Sequence, residues 1–321
     1  MFTMFSLDFV EQIDNINYER DQIDLINKAK QISENKLKQL IYITTCLVCE
    51  KFKPEFHLQI TIPAGKKAKI YLPIIYEKDE YGFYVDWGDS IFPEHNKLIH
   101  EYKVLDKEKT YDIKFFGFNI IGFGERYETL IFRDDKLDGL ENFQEFLTAV
   151  ISFGELGHKF VSLENAFYKC KNNFTVPTSL PSSITNINKM FSQCFRFNQS
   201  LELWNTVNVT SMASVFNNCY EFDQPLSWNV SNVVIMCNMF YCCYKFNQPL
   251  NLWNVSNVKN MACMFKWCKS FNQPLDNWQV QNVENMSHMF FNCYKFTQQL
   301  NKWLIKNTTN TRDMFFGIYK N

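Results

Sequence analysis

The chain has 321 residues, with 33 Lys and Arg against 34 Asp and Glu, a formal net charge of -1, and 46% hydrophobic and 17% aromatic content. That is enough apolar material for a sizeable core and two or three structural units. The balanced charge gives no basic footprint for a polyanion, so nucleic acid is not an expected partner. No stretch approaches the roughly 18 apolar residues of a membrane-spanning helix, so no membrane insertion is expected.

In chain order, residues 1–54 are expected to form an N-terminal helical segment. Ile23, Ile26, Leu37, Leu40 and Ile41 are interspersed with Lys, Asp and Gln, as one or two amphipathic helices require. Met1 to Val10 starts apolar but lacks a basic region and is interrupted by Asp8, so no signal peptide is expected and the cytoplasm is the expected location. Cys46-x-x-Cys49 is a lone pair, without the second pair that zinc-finger spacing needs.

Residues 55–124 change character. FHLQITI (56–62) and KIYLPI (69–74) are bounded by Pro and Gly and predict strands. Val85-Asp86-Trp87-Gly88-Asp89 follows, then His100-x-Tyr102, then Tyr111-Asp112-Ile113. This order resembles the polycystic-kidney-disease-type domain, which implies a small antiparallel β-sandwich; Ser90 stands where that pattern usually has Gly. Asp86 and Asp89 are hard oxygen donors of the kind that bind Ca²⁺. In such a turn, carboxylates also accept backbone N-H bonds, and that role is the expected one.

Residues 125–164 are expected to connect and cap, with a helix over 140–151 (LENFQEFLTAVI) whose apolar face closes the first repeat. From 165 to 321 the chain repeats every 24 or 25 residues. Phenylalanines recur at Phe167, Phe191, Phe216, Phe240, Phe265, Phe290 and Phe315, with cysteines three residues later from Cys170 to Cys293. Tryptophans recur at Trp204, Trp228, Trp253, Trp278 and Trp303. A period of this length marks a solenoid. One unit's apolar set is too small to make a core alone, so neighbouring units must cover it. Met, Phe and Cys at i, i+1 and i+4 suit a short helical turn, and the Val-containing stretch after Trp suits short parallel strands. Asn254 and Asn257 favour turns. In the last unit Thr308 and Thr311 stand in the Val and Met positions and suggest a cap.

These units resemble the BspA-like leucine-rich-repeat family, in particular its Mycoplasma-lipoprotein-type repeat of unknown function. The unit starting at Ala166 resembles the related Treponema-type repeat. The resemblance covers about half the chain and implies adhesion or protein interaction, with no chemistry to carry across. The expected fold is therefore α+β: a leucine-rich-repeat-like solenoid of about six units, preceded by an antiparallel β-sandwich and the N-terminal helical segment.

Six of eleven cysteines fall in the repeat register and are expected as buried thiols, not as disulfides or metal ligands. Five histidines sit in no catalytic or metal motif, and there is no Walker A loop, G-x-S-x-G or H-E-x-x-H. No catalytic residue, cofactor or metal is expected; an enzyme working through Cys46/Cys49 or Asp86/Asp89 is the least favoured reading. Positions that vary beside the ladders are the candidate interaction surface. They are Tyr220, Tyr244 and Tyr294 with Lys245 and Lys295, and a second row that includes Lys259 and Glu284. The same tyrosines also suit packing on the neighbouring coil. The expected function is non-enzymatic protein interaction or scaffolding. The alternative is a surface or virion adhesin binding a host protein or glycan, since the combination of modules and the Asn, Lys, Ile and Phe usage suggest a large DNA virus.

Overall fold

The computed structural model describes residues 56–77, 82–89, 93–117, 119–124, 141–154, 156 and 158–318. The helices expected in residues 1–54, and Cys46 and Cys49, lie outside the described residues. Those described belong to one unit, Pro54–Asn321.

Alternating residues build the first sheets. In β1 (Phe56–Ile62), Phe56, Leu58, Ile60 and Ile62 face inward. The strand pairs along its length with β7 (Lys109–Phe116), whose Tyr111, Ile113 and Phe115 are likewise buried. The other strands are β2 (Ala68–Tyr71), β3 (Ile74–Tyr76), β4 (Tyr84–Asp86), β5 (Glu94–His95), β6 (Ile99–Tyr102), β8 (Ile120–Phe123), β9 (Glu141–Asn142) and β10 (Leu147–Ser152). They form sheets of order β10-β1-β7-β4-β5, β6-β2-β9 and β3-β8, antiparallel except for the parallel β2–β9 pair. Aromatic contacts join the sheets: Tyr102 meets Tyr111 with ring centroids 4.3 Å apart, and Phe56 meets Phe123 at 4.7 Å.

The helix expected over 140–151 is not there. This stretch is β9, a single 3-10 turn at Phe143–Glu145, and β10. Phe143, Phe146, Leu147 and Val150 have helical spacing, but they are buried in the shared core while β10 hydrogen-bonds to the edge of β1. Sheet pairing overrides the local period.

The sheets lead directly into the repeats. Gly122 of β8 bridges in parallel to Ser162, and Ala149 of β10 bridges to Thr175. Gly124 holds a φ of +135°, and a Cβ there would lie 1.8 Å from the Glu164 carbonyl oxygen, so only glycine permits this junction. From Ser162 the bridges run on through Asn186, Ser211, Ile235, Asn260, Asn285 and Asn310, one per coil and all parallel.

The α+β expectation is overturned. Among the described residues there is no α-helix, the extended sheets are antiparallel, and the expected parallel strands shrink to single bridges. The reason lies in the backbone around M-F-x-x-C. The residues two before and two after each ladder phenylalanine are left-handed. Lys189 and Gln193, Ser214 and Asn218, Asn238 and Cys242, Cys263 and Trp267, and His288 and Asn292 all have φ between +53° and +63°. A helix cannot pass through them. They turn alternate peptide groups along the stack. Met261, Cys263, Phe265 and Trp267 donate N-H bonds to the carbonyls of Asn285, Ser287, Met289 and Phe291, at 2.8 to 2.9 Å. The intervening N-H groups close local turns, as Met264 does to Met261 and Cys268 to Phe265. A left-handed non-glycine residue costs roughly 1–2 kcal/mol, and a hydrogen bond returns a net of about 0.5–1.5 kcal/mol. A coil therefore gains nothing from this backbone by itself and needs its neighbours.

The ladders supply the remaining stabilisation. Adjacent ladder phenylalanines stack at 5.6 to 5.8 Å, and within a coil Phe240 stacks on Phe246 at 4.1 Å. Each Trp indole N-H reaches a carbonyl of the preceding coil, as Trp278 does to Leu250 at 2.8 Å. Asn and Gln of the F-N-Q stretch clamp neighbouring coils: Asp223 Oδ1 accepts from Asn247 N and Gln248 Nε2, each at 2.9 Å. In the last unit Thr308 and Thr311 are exposed as expected of polar substitutes, but Thr309 takes the buried row and donates to the Val283 carbonyl at 2.9 Å.

Candidate functional site

Three places combine functional side chains. The first is the D-W-G-D turn at the end of β4. Asp86 Oδ1 accepts the Gly88 N-H at 2.9 Å, which is the backbone-capping role expected of it. Asp89 instead meets His100 Nε2 at 2.9 Å, and His100 Nδ1 lies 3.5 Å from Glu94 Oε2. The imidazole stacks on the buried Trp87 indole, centroids 5.0 Å apart, and the Tyr102 hydroxyl donates to the Trp87 carbonyl at 2.8 Å. Burial, then the neighbouring carboxylates, hold Tyr102 far above the ordinary tyrosine range. The Asp89–His100 and Trp87–Tyr102 contacts fasten the turn to β6.

The second is the thiol ladder. Cys194, Cys219, Cys243, Cys268 and Cys293 donate to the Phe carbonyl of the preceding coil, for example Cys243 to Phe216 at 2.9 Å. That carbonyl also accepts a backbone N-H of its own coil, so both its lone pairs are used. Burial pushes the Cys170, Cys219, Cys243, Cys268 and Cys293 thiols well above their usual range. Neutral thiols tied to carbonyls are poor nucleophiles and poor metal ligands. All nine described cysteines are free. His288 is a left-handed turn residue, with Nε2 3.4 Å from Asp313 Oδ2.

The third is the outer corner of the coils, the residues that follow each ladder phenylalanine. Tyr220 stacks on Tyr244 at 4.8 Å and on Phe195 at 4.9 Å, so the coil-on-coil packing of the tyrosines is real. Tyr220 and Tyr244 are half-buried, and Phe195 is 37% exposed. The tyrosine row is broken by Lys269, whose ammonium sits 4.2 Å over the Tyr244 ring. Tyr294 therefore meets Trp267 instead, edge-on at 6.0 Å. Lys245 pairs with Glu221, and Lys295 is exposed. Burial and a hydrogen bond with Cys242 push the Tyr244 hydroxyl up to about 12.

Lys259 and Glu284 pair at 3.5 Å on a different strip, the line of parallel bridges, where Val234 and Ile235 are also exposed. The two predicted rows are thus separate surfaces. Sequence reasoning missed Phe195, Lys266, Trp267, Lys269, Phe291 and Phe316, which complete the first of them. They recur at a few fixed offsets from the ladder phenylalanines, with Lys266, Phe291 and Phe316 one residue after and Phe195 and Lys269 four after, which column-by-column alignment of the units reveals.

Within this geometry the family match can be placed. The family described as Mycoplasma protein of unknown function, DUF285, matches residues 161–255 and 226–321. The chain belongs to this family. The DUF285 match begins beside Ser162, where the first single bridge of the stack forms, and takes in every coil. This agrees with the resemblance to Mycoplasma-type, BspA-like repeats. No curated protein and no solved structure matches the chain. Among the described residues no helix is long and apolar enough to cross a membrane.

Proposed function

We propose that the DUF285 stack is a non-catalytic protein-binding module that engages its partner through the outer corner of the coils. The observation that carries this reading is the row of Phe195, Tyr220 and Tyr244 rings, continued by Lys269, Trp267 and Tyr294 across successive coils. Rigid aromatic rings backed by a repeating core lose little entropy on contact and are the residue types that anchor interfaces. Buried neutral thiols suit a reducing compartment such as the cytoplasm. For the preceding sheets we favour a polycystic-kidney-disease-type domain, on the D-W-G-D turn and the Tyr102 bond that fastens it.

The test is affinity purification from native cells with the wild-type chain, a Tyr220→Ser/Tyr244→Ser chain, and a Lys259→Glu chain altered on the other strip. A partner held by wild type and by Lys259→Glu, but lost from the tyrosine variant, is the expected result. Retention by all three, or by none, overturns the assignment of this face.

A further inference from the structure

The charge of this chain is balanced overall but unevenly placed on the repeats. In the five residues after each ladder phenylalanine from Phe167 to Phe290 stand Lys169, Lys171, Arg196, Lys245, Lys266, Lys269 and Lys295, against one carboxylate, Glu221. Two of these cations have carboxylate neighbours, Lys245 with Glu221 and Lys171 with Glu145 at 4.0 Å. Lys266 and Lys269 are instead poised over rings: Lys266 lies 4.5 Å from the Phe291 centroid and 6.0 Å from that of Tyr241, and Lys269 lies over Tyr244. Among the described residues Arg196 and Lys295 have no carboxylate within ion-pair distance, and both are exposed. The other repeat carboxylates, Glu202, Asp223, Asp276, Glu284 and Asp313, lie outside these segments.

The orientation of the rings narrows the partner. Phe195, Tyr220 and Tyr244 use their faces against one another, and the ammonium of Lys269 covers the end of that row. With both faces covered, Tyr220 and Tyr244 have their edges left to meet a partner. The edge is the positive side of the aromatic quadrupole, which suits a carboxylate. Nucleic-acid bases need ring faces for stacking, and those of Tyr220 and Tyr244 are occupied on both sides.

We propose that this face binds an acidic polypeptide segment, whose carboxylates lie along the cationic and aromatic strip from Arg196 to Lys295. The inference rests on the protein-binding reading above and adds the chemistry of the partner. Cations stand on the strip at Arg196, Lys245, Lys266, Lys269 and Lys295, with Glu221 the one carboxylate between them, so an extended chain with several carboxylates can meet a cation in every coil but that of Phe216. Its affinity is mainly electrostatic and falls with salt, because exposed charges are screened over about 10 Å at 0.1 M ionic strength.

The experiment uses the full chain and three labelled probes in fluorescence anisotropy: a peptide of alternating Glu and Ser, the same peptide with Gln for Glu, and an oligouridylate of equal length. The expected result is that the Glu peptide binds, that the Gln peptide and the oligouridylate bind at least tenfold more weakly, and that Lys266→Glu/Lys269→Glu weakens the Glu peptide at least tenfold. Lys302→Glu, off the strip beside Asp276, should leave binding unchanged. Lys266→Gln/Lys269→Gln, with unaltered tryptophan emission and melting, guards against a folding defect. Oligouridylate binding as tight as or tighter than the Glu peptide overturns the proposal in favour of nucleic acid. Failure of the Glu peptide to bind, or equal binding by the charge variants, also overturns it. If the native partner is lost from the tyrosine variant but held by Lys266→Glu/Lys269→Glu, the binding face stands and only its acidic partner is wrong.

Discussion

Phe240 sits in the middle of the ladder and Phe315 in its last coil, and truncating each to Ala measures how the stack shares its stability. The Phe240 ring is fully buried, between Phe216 at 5.7 Å and Phe265 at 5.6 Å, and packs on Phe246 at 4.1 Å. Removing a ring from so closed a site costs about 3–5 kcal/mol. Phe315 stacks on Phe290 alone in the ladder and is 46% exposed, so the same truncation forfeits about half the burial, or about 1–2 kcal/mol. In a nearest-neighbour stack a central defect weakens two interfaces and a terminal one weakens a single interface. Urea unfolding followed by the ladder tryptophans gives the two losses, and hydrogen exchange locates them. In Phe240→Ala the amides of Phe216 and Phe240, which bond to Met239 and Met264, should lose protection together. Equal destabilisation by the two truncations, or protection lost uniformly along the chain, would refute the reasoning.

Alkaline pH should dissolve the stack. The ladder thiols have folded pKa values raised by burial, so they stay protonated where the unfolded thiols ionise. Their contribution is fully present below the unfolded value near 9 and is lost as pH rises beyond it, by up to about 1.4 kcal/mol per pH unit for each thiol. Urea midpoints at pH 8, 9 and 10 check this: a flat profile is the contrary outcome, and Cys243→Ala/Cys268→Ala should have a shallower slope than wild type. Ser214 is left-handed at φ +57° and is nearly buried, so Ser214→Gly should raise stability by up to about 1 kcal/mol while Ser214→Ala does not. A lower melting temperature for the glycine variant would count against the strain assigned to that backbone.

The register of the ladders was legible in the sequence because burial recurs in every coil and selects the same residue each time. Phe240, Cys243, Phe246, Leu250, Trp253, Val258 and Met261 are all buried, as one unit's pattern implies. The backbone path was not. Met, Phe and Cys at i, i+1 and i+4 serve a helix and this stack of turns equally, and the left-handed positions mix Asn and Asp, which tolerate that conformation, with Lys, Gln, Cys, Trp and His, which do not favour it, so no one residue type marks them from coil to coil. What holds them is hydrogen bonding to the next coil, some 24 residues away, which no local pattern records. The helix expected at 140–151 failed for a related reason: β1 is about 90 residues distant in sequence. For the proposed binding face, Tyr220 and Tyr244 could be picked out as a row. The part played by Lys266 and Lys269 depends on side chains from adjacent coils meeting, and that appears only once the coils are stacked.

The alternation of peptide directions makes the repeat an interchangeable part. Every coil offers donors from Met261-type, Phe265-type and Trp267-type positions toward one end and the matching carbonyls toward the other. Excising one whole unit, such as residues 239–263, would bring Met264 to the place of Met239 and restore each donor to an acceptor. Removal of anything other than whole units would leave the ladders out of step. The stack can therefore be lengthened or shortened by copying or deleting units, with no redesign of the core, so the extent of its surface is set by copy number while the residues at the outer corner are free to differ from coil to coil.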